Sequence, residues 1–481
     1  MATNPAPVVV WFRKDLRTDD NAALAAAAQT GRPVLPLYIL EPVEAGTGPL
    51  GAAQRWWLHH ALAALAKSLS GLGAPLVLRA GPADAALDTV IAESGADTIH
   101  WNRRHDPPGM AIDRKIKAVL KARSLVATSF AGQLLHDPTR LLTGEKKPFR
   151  VYTPFWKALE RAGEPHEPID PPARLIGFPG SVASDRLEDW HLAPERPDWA
   201  APFHEVWTPG EAAARERLET FVDGALDGYA VDRDRPALHA TSMLSPYLAL
   251  GEISPARIWH ATRGLDAPAG DLVHFRKELA WREFCYHLHF HFPALAEKNW
   301  NERFDAFPWE ELGEVFTLWT RGLTGYPIVD AGMRQLWRHG WMHNRARMIT
   351  ASFLIKHLMI DWRHGETWFR DTLVDADAAS NAANWQWVAG SGADASPFFR
   401  IFNPILQGEK FDPDGAYVRR FVPELENLDA AWIHKPFDAP QAALARAGVD
   451  LGKTYPKPLV DHGHARQRAL AAYKSLKADG A

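Results

Sequence analysis

In the N-terminal part of the chain, short unbroken apolar runs alternate with longer segments whose apolar positions recur every third or fourth residue. The runs at 8–12, 34–39, 76–79, 98–101 and 125–129 read as buried strands. The segments 22–29, 54–72, 83–94 and 110–123 read as helices. Arg13-Lys14-Asp15-Leu16-Arg17 reads as a polar loop, and Asp19-Asp20-Asn21 as the cap of the Ala-rich helix behind it. Strands alternating with helices predict an α/β domain over 1–135 built on a doubly wound parallel sheet. Its ligand crevice should lie at the strands' C-terminal ends. No Gly-x-Gly-x-x-Gly follows the first strand, so a dinucleotide held by that grip is disfavoured.

From 136 to 204 the chain is dense in Pro, Gly and charge, as in Glu164-Pro165-His166-Glu167-Pro168, and reads as a linker wrapping between domains. Beyond Gly210 the spacing turns helical and stays so through Trp387, which predicts an all-α C-terminal domain over 205–481. The Ala/Lys-rich tail, 441–481, reads as a frayed surface helix.

Composition adds little until tryptophan is reached. Hydrophobic residues are 46% and charged residues 23%, ordinary for a soluble globular protein, and 481 residues call for more than one core. The net charge of −4 supplies no global field for nucleic acid, so cations would have to gather on one face. Cys285 is the single cysteine, and neither a signal peptide nor a membrane span is expected, so the reading is a cytoplasmic protein. Ten of the 20 Trp, however, fall between Trp281 and Trp387. There they are interleaved with Arg, Asn, His and Asp from Gly325 to Asp412, where a helical core would ordinarily bury carbon. Buried polar groups cost free energy unless something satisfies them, and a large polar-and-aromatic ligand would.

Several constellations could carry such chemistry. Thr241-Ser242-Met243-Leu244-Ser245-Pro246 puts three hydroxyls at a helix start, where unpaired N–H groups favour an anion; a plain helix cap is the bland alternative. Glu278 shares a helical face with Trp281 and Arg282, at i+3 and i+4. His287 and His291 share another beside Cys285, but no further ligand is spaced to complete a zinc site, so hydrogen-bonded histidines are the better reading. Glu366, Asp371, Asp375 and Asp377 stand near Arg347, Arg363 and Arg370, which favours internal ion pairs over a divalent metal. Arg334, Arg338, Arg345, Arg347, Lys356, Arg400 and Lys410, interleaved with Trp and Met, suit a surface that tracks phosphates and stacks bases.

Together these stretches resemble the photolyase/cryptochrome flavoproteins, and most of all the microbial members that repair cyclobutane pyrimidine dimers. The resemblance runs over nearly the whole chain. It is densest in Trp341-Met342-His343-Asn344-Arg345, Ile360-Asp361-Trp362-Arg363, Asn384-Trp385-Gln386-Trp387 and Asn403-Pro404 through Gln407-Gly408-Glu409-Lys410-Phe411. Trp11-Phe12-Arg13-Lys14-Asp15-Leu16-Arg17 with Asp20-Asn21 matches its N-terminal signature.

The resemblance implies FAD, reduced in the active state, within the helical domain. Its diphosphate would lie near Tyr229, Arg233 and Thr241, Ser242, Met243, Leu244 and Ser245. Phe275, Arg282, Asn344, Asp375 and Asp377 match other flavin contacts, with Arg347 paired to Asp375 and Asn381 facing flavin N5. Light would drive electron transfer to a flipped-out dimer in damaged DNA, clamped by Trp281 and Trp387, touched by Met348 and hydrogen-bonded by Glu278. Arg233, Arg345 and Gln407 fall at DNA-contact positions, and Trp385, Trp362 and Trp309 at those of an electron relay to the surface. No protein partner is implied, and a monomer is expected.

The chain departs from the family at three places. Met243 replaces the Arg common in the hydroxyl motif. Asn102-Arg103-Arg104-His105 does not reproduce the Asn-Glu contact that holds folate in related enzymes, so the antenna site for a second, light-harvesting chromophore is expected to hold methenyltetrahydrofolate in a variant pose before a deazaflavin, with an empty site as the third alternative. Asn344 stands where (6-4) photolyases carry the first of a His pair. The alternative function is a cryptochrome-like blue-light receptor that binds FAD without repair. Asn381, where plant cryptochromes carry Asp and animal ones Cys, argues against it.

Overall fold

The computed structural model describes residues 5–42, 50–394 and 399–478, so Met1–Asn4, read above for an export signal, and the last three residues of the tail lie outside the described residues. β1 (Val8–Phe12), β2 (Val34–Leu40), β3 (Val77–Ala80), β4 (Thr98–Asn102) and β5 (Val126–Phe130) are the five expected apolar runs. They pair parallel throughout, in the order β3-β2-β1-β4-β5, with Val8 opposite both Val34 and Thr98. β1 is buried at every position because sheet neighbours flank both its edges and helices cover both its faces. The strand order reverses between β1 and β4, the place where such sheets open a crevice.

Contacts divide the chain into two units, each drawn from several stretches of sequence. One holds residues 1–199, 207–227 and 242–293; the other holds 200–206, 228–241 and 294–481.

In the first unit, Asn21 caps the helix Ala22–Gln29 by accepting the Leu24 N–H at 3.0 Å. The helix expected from Met110 begins instead at Pro107, capped by Asp106, because proline fits the first turn, where its missing N–H costs nothing. The polar loop after β1 is a correction: Arg13, Asp15 and Arg17 are buried. Arg13 donates to Asp113 at 2.6 Å and to the Asn102 carbonyl at 2.7 Å. Arg17 donates to three carbonyls, those of Gly251, Asp20 and Gly132, at 2.9, 2.8 and 2.7 Å. Such charges can be buried because most of their donors, though not the Nε of either arginine, are met in this way. The stretch from 136 is not all irregular either. Tyr152–Ala162 is a helix that buries Tyr152, Phe155, Trp156 and Leu159.

In the second unit the helices Pro327–His339, Asn344–Ser352, Trp362–Thr372, Ala378–Ala389 and Ala416–Phe421 surround one apolar cluster that runs from Trp319 to Tyr455. Asp330, wholly buried, accepts the Thr324 N–H at 2.7 Å and the Tyr455 hydroxyl at 2.6 Å, which ties the start of the motif-rich stretch to the C-terminal part. The tail, expected as one frayed surface helix, forms two, Gln441–Ala447 and His462–Ala478. Ala465, Ala469, Ala472 and Leu476 of the second are buried at helical spacing. Among the described residues no helix is long and apolar enough to cross a membrane.

Candidate functional site

In the first unit the 23-residue helix Ala269–His291 carries Phe275, Glu278, Trp281 and Arg282. The Trp281 indole lies parallel to the Tyr152 ring, centroids 3.6 Å apart and planes 4° from coincidence, while Phe284 meets it edge-on at 5.9 Å. Tyr152 is itself fixed, its hydroxyl donating to the Lys277 carbonyl at 2.9 Å. Sequence reasoning placed this tyrosine in a linker and missed it. Glu278 is half-buried, one turn before Trp281. Arg282 donates to the Gln133 carbonyl at 3.1 Å, pairs with Glu283 at 3.2 Å, and stacks 4.7 Å over Tyr286. Burial pushes the Glu283 carboxyl up to about 7, against the pull of Arg282 and the Leu135 N–H. Phe275 packs 4.7 Å from Phe221.

Ser245 opens the helix Ser245–Leu250 with Pro246 behind it, and no side chain caps that helix. Met243 takes a left-handed φ of 50°, rare for a side-chain-bearing residue. Arg217 Nη1 lies 3.6 Å from Met243 Sδ. His287, weighed above as a zinc ligand, instead accepts the Phe149 N–H at 2.9 Å, and burial pulls its pKa down to about 3.

Beyond the C-terminal ends of β1 and β4, polar side chains bond to one another. Asn102 gives its amide to Asp15 at 2.7 Å and to Asn21 at 2.9 Å. Arg104 pairs with Asp106 at 2.9 Å, and its positive charge holds the Asp106 carboxyl far below the usual range despite burial. In the same unit a cleft of about 360 Å³ is lined by Arg103, Leu135, His136, Asp137, Arg140 and His166, among others.

In the second unit the helix Asn344–Ser352 is capped by His343, whose Nδ1 accepts the Arg345 N–H at 3.1 Å. Burial pulls the His343 pKa down to about 4, so the ring stays a neutral acceptor, and its buried Nε2 has no partner. Arg347 pairs with Asp375 at 2.7 Å and donates to the Met342 carbonyl at 2.7 Å. Asp377 caps Ala378–Ala389 by accepting the Ser380 N–H at 2.7 Å. Asn381 donates its amide to the Glu366 carboxylate at 2.9 Å and to the Glu366 carbonyl at 3.0 Å. Glu366 also faces Arg370 at 3.6 Å, and burial raises its pKa. Arg363 does not join these carboxylates and turns to Asp361 at 2.8 Å. Asn344 is exposed, and Arg347, Met348, Asp377 and Asn381 are half-buried, while Ala346, Ile349, Ala382 and Trp385 between them are buried. One side of these two helices is therefore apolar core, and the other offers amides, a guanidinium and a carboxylate.

Trp385 and Trp362 belong to the apolar cluster and Trp309 packs against it. Trp362 donates its indole N–H to Asn299 at 2.9 Å. A Cβ on Gly365 would stand 2.1 Å from Trp385 Cη2, so only glycine lets that indole lie against the Trp362 helix. Between Trp385 and Trp387, buried Gln386 accepts the Trp300 N–H at 2.8 Å and donates to the Leu295 and Lys298 carbonyls at 2.7 and 2.9 Å. Arg233 lies 5.2 Å over the Tyr229 ring. Thr241 lies in this unit, whereas Ser242, Met243, Leu244 and Ser245 lie in the first. Gln407 is half-buried on the helix Pro404–Phe411.

A five-stranded parallel sheet with helices, followed by a mostly helical FAD-binding domain, is the architecture of a flavoprotein. A family model described as DNA photolyase matches residues 8–173, and one described as the FAD binding domain of DNA photolyase matches 275–475. The deoxyribodipyrimidine photo-lyase of Agrobacterium fabrum is 64% identical over 99% of both chains, and cryptochrome-1 of Arabidopsis thaliana is 38% identical over 97% of this chain and 70% of its own. A solved bacterial class III photolyase from Agrobacterium tumefaciens is 63% identical, covers 99% of both chains and superposes with a TM-score of 0.97. The chain belongs to the DNA photolyase family.

Proposed function

We propose that the protein is a class III photolyase that splits cyclobutane pyrimidine dimers in damaged DNA under near-UV or blue light. The observation that carries this reading is the Tyr152–Trp281 stack. One indole face is held rigid, and no ring among the described residues stacks on the other, one turn from a half-buried carboxyl. A flipped pyrimidine pair is the planar, poorly stacked guest that such a face suits.

Trp281 and Trp387 clamp the dimer, Met348 closes on it, and Glu278 hydrogen-bonds a pyrimidine carbonyl. Arg233, Arg345 and Gln407 contact the DNA strand. For the flavin we assign Phe275, Arg282 and Ser242, Met243, Leu244 and Ser245 in the first unit. In the second we assign Tyr229, Thr241, Asn344, Arg347, Asp375, Asp377 and Asn381. Reduced FAD bound there supplies the light-driven electron. With its amide nitrogen committed to Glu366, Asn381 has its carbonyl oxygen left to accept a hydrogen bond from flavin N5. The Arg347–Asp375 pair would hold a further guanidinium in place for the flavin. Trp385, Trp362 and Trp309 relay electrons inward from solvent.

For the second chromophore, methenyltetrahydrofolate is favoured over a deazaflavin. Beyond β1 and β4, Arg13 and Arg104 are paired with carboxylates, whereas the cleft beside Arg103 and Arg140 offers room and cations. Residues 1–135 serve as the antenna domain, 136–204 as the linker and 205–481 as the FAD- and DNA-binding catalytic domain of a cytoplasmic monomer.

The test is blue light on UV-irradiated oligothymidine. Light-dependent loss of dimers is expected, with none in the dark. Flavin photoreduction without loss of dimers would assign the chain to the photoreceptor function of its cryptochrome relatives instead.

A further inference from the structure

Arg345 stands among the residues assigned to DNA, yet its guanidinium is already engaged within the second unit. Nη2 lies 2.6 Å from Asp234 Oδ2, the planar group sits 4.2 Å over the Phe411 ring, and Nη1 is 4.0 Å from Met348 Sδ. Nε is buried without a hydrogen-bond partner. The side chain is 16% exposed and that of Asp234 34%.

This arrangement is poor for a guanidinium at rest. Arginine grips an oxyanion best through a two-pronged fork, with two parallel N–H bonds to two oxygens. Here one prong is spent on a single carboxylate oxygen and the neighbouring Nε–H is stranded, which costs free energy. The carboxylate itself is a third exposed, so its hold is screened by solvent and salt. A phosphate that came close enough to offer two oxygens would satisfy both prongs and displace Asp234. A phosphate that stayed further out would not.

We infer that Asp234 is a specificity-determining residue: it occupies Arg345 in the free protein, so that DNA gains this contact only where the strand is drawn in close beside a lesion at Met348. The inference rests on the proposal that Arg345 and Met348 face damaged DNA. A carboxylate that merely oriented Arg345 toward phosphate would have the opposite signature, because its loss would weaken binding to all DNA.

The experiment compares full-length wild type with Asp234→Asn by fluorescence anisotropy, on undamaged duplex and on the same duplex with one thymine dimer, across a salt series. Asp234→Asn is expected to tighten binding to undamaged DNA by about two- to fivefold at low salt and to change binding to the dimer less. Its log–log salt slope on undamaged DNA should steepen by about 0.9, one added phosphate contact. Adding Arg345→Gln should abolish the gain, and Asp234→Ser should act in the same direction as Asp234→Asn. Parallel weakening on both duplexes, or an unchanged slope, overturns the inference while leaving the repair reading intact. A wild type that does not distinguish dimer from undamaged duplex overturns both.

Discussion

The Tyr152 ring covers one face of the Trp281 indole at 3.6 Å, and the tyrosine arrives from a helix more than a hundred residues earlier in the chain. A buttressed indole cannot turn away when a flat ligand lands on its other face, so it loses little rotamer freedom on binding. Tyr152→Ala should weaken binding of a dimer-containing oligonucleotide by about 1 kcal/mol, the scale of one aromatic pair. Tyr152→Phe, which keeps the ring and loses the bond to the Lys277 carbonyl, should keep most of the affinity. Titration of the two variants by anisotropy checks this; equal losses would shift the role from the ring to the hydroxyl.

Glu278 stands one turn from that indole, and its role separates from binding. Glu278→Ala should lower the quantum yield of repair severalfold while changing the dissociation constant much less, since one hydrogen bond to a neutral carbonyl contributes about 1 kcal/mol. Yield is read from dimer loss per absorbed photon with the chemically reduced enzyme. A full yield in the variant would remove Glu278 from the chemistry.

Gly365 is under opposing pressures. Alanine is the better helix former by about 1 kcal/mol. Its methyl would, however, stand 2.1 Å from Trp385 and 2.7 Å from Leu354, and overpacking of this kind costs about 1–3 kcal/mol or more. The clash wins, so Gly365→Ala should lower the melting temperature and slow flavin photoreduction by displacing Trp385. A stabilised variant would mean that the indole has room to move.

Glu252 gives the first unit a pH signature. It is wholly buried, with the Trp57 indole N–H donating to it at 2.6 Å, and burial pushes its carboxyl up to about 8 from 4.5. A group raised in the fold stabilises fully below its unfolded pKa and loses that contribution as pH climbs to its folded value. Wild type should therefore lose stability relative to Glu252→Gln between pH 4.5 and about 8, by on the order of 5 kcal/mol at full extent. Urea melts of both proteins across that range check it, and a flat difference would show Glu252 ionised in the fold.

The sheet was legible because each strand is a self-contained apolar run and each connection an amphipathic helix; Val8–Phe12 needs no distant information to be recognised. The Arg13–Arg17 loop was not. Arg17 is buried by carbonyls at Gly132 and Gly251, and nothing local announces partners so far along the chain. Tyr152–Ala162 did leave a trace, in Tyr152, Phe155, Trp156 and Leu159 at helical spacing, but the proline and charge on either side masked it. The tail's alanines carried the same signal in Ala465, Ala469, Ala472 and Leu476, and alanine is too small to stand out as a core residue. At the candidate site, internal ion pairs could be read from residue types, and the family resemblance singled out Arg347 with Asp375. The Arg345–Asp234 pair could not, since it depends on how a distant turn packs.

Trp362 offers a separation of functions that few substitutions allow. Its indole is fully buried, hydrogen-bonded to Asn299 at 2.9 Å, and within the same apolar cluster as Trp385, with Trp309 at the cluster's edge. Trp362→Phe keeps an aromatic ring in place but removes the easily oxidised indole and leaves Asn299 short of a donor. The cost to folding should be about 1–3 kcal/mol, from the lost hydrogen bond and the smaller ring. An electron entering from solvent needs the middle member of the relay, so photoreduction of the oxidised flavin should fall by more than an order of magnitude. Repair by enzyme reduced beforehand with dithionite never draws on that path and should continue at close to the wild-type rate. Loss of both activities in a folded, flavin-loaded variant would overturn the relay assignment of Trp362.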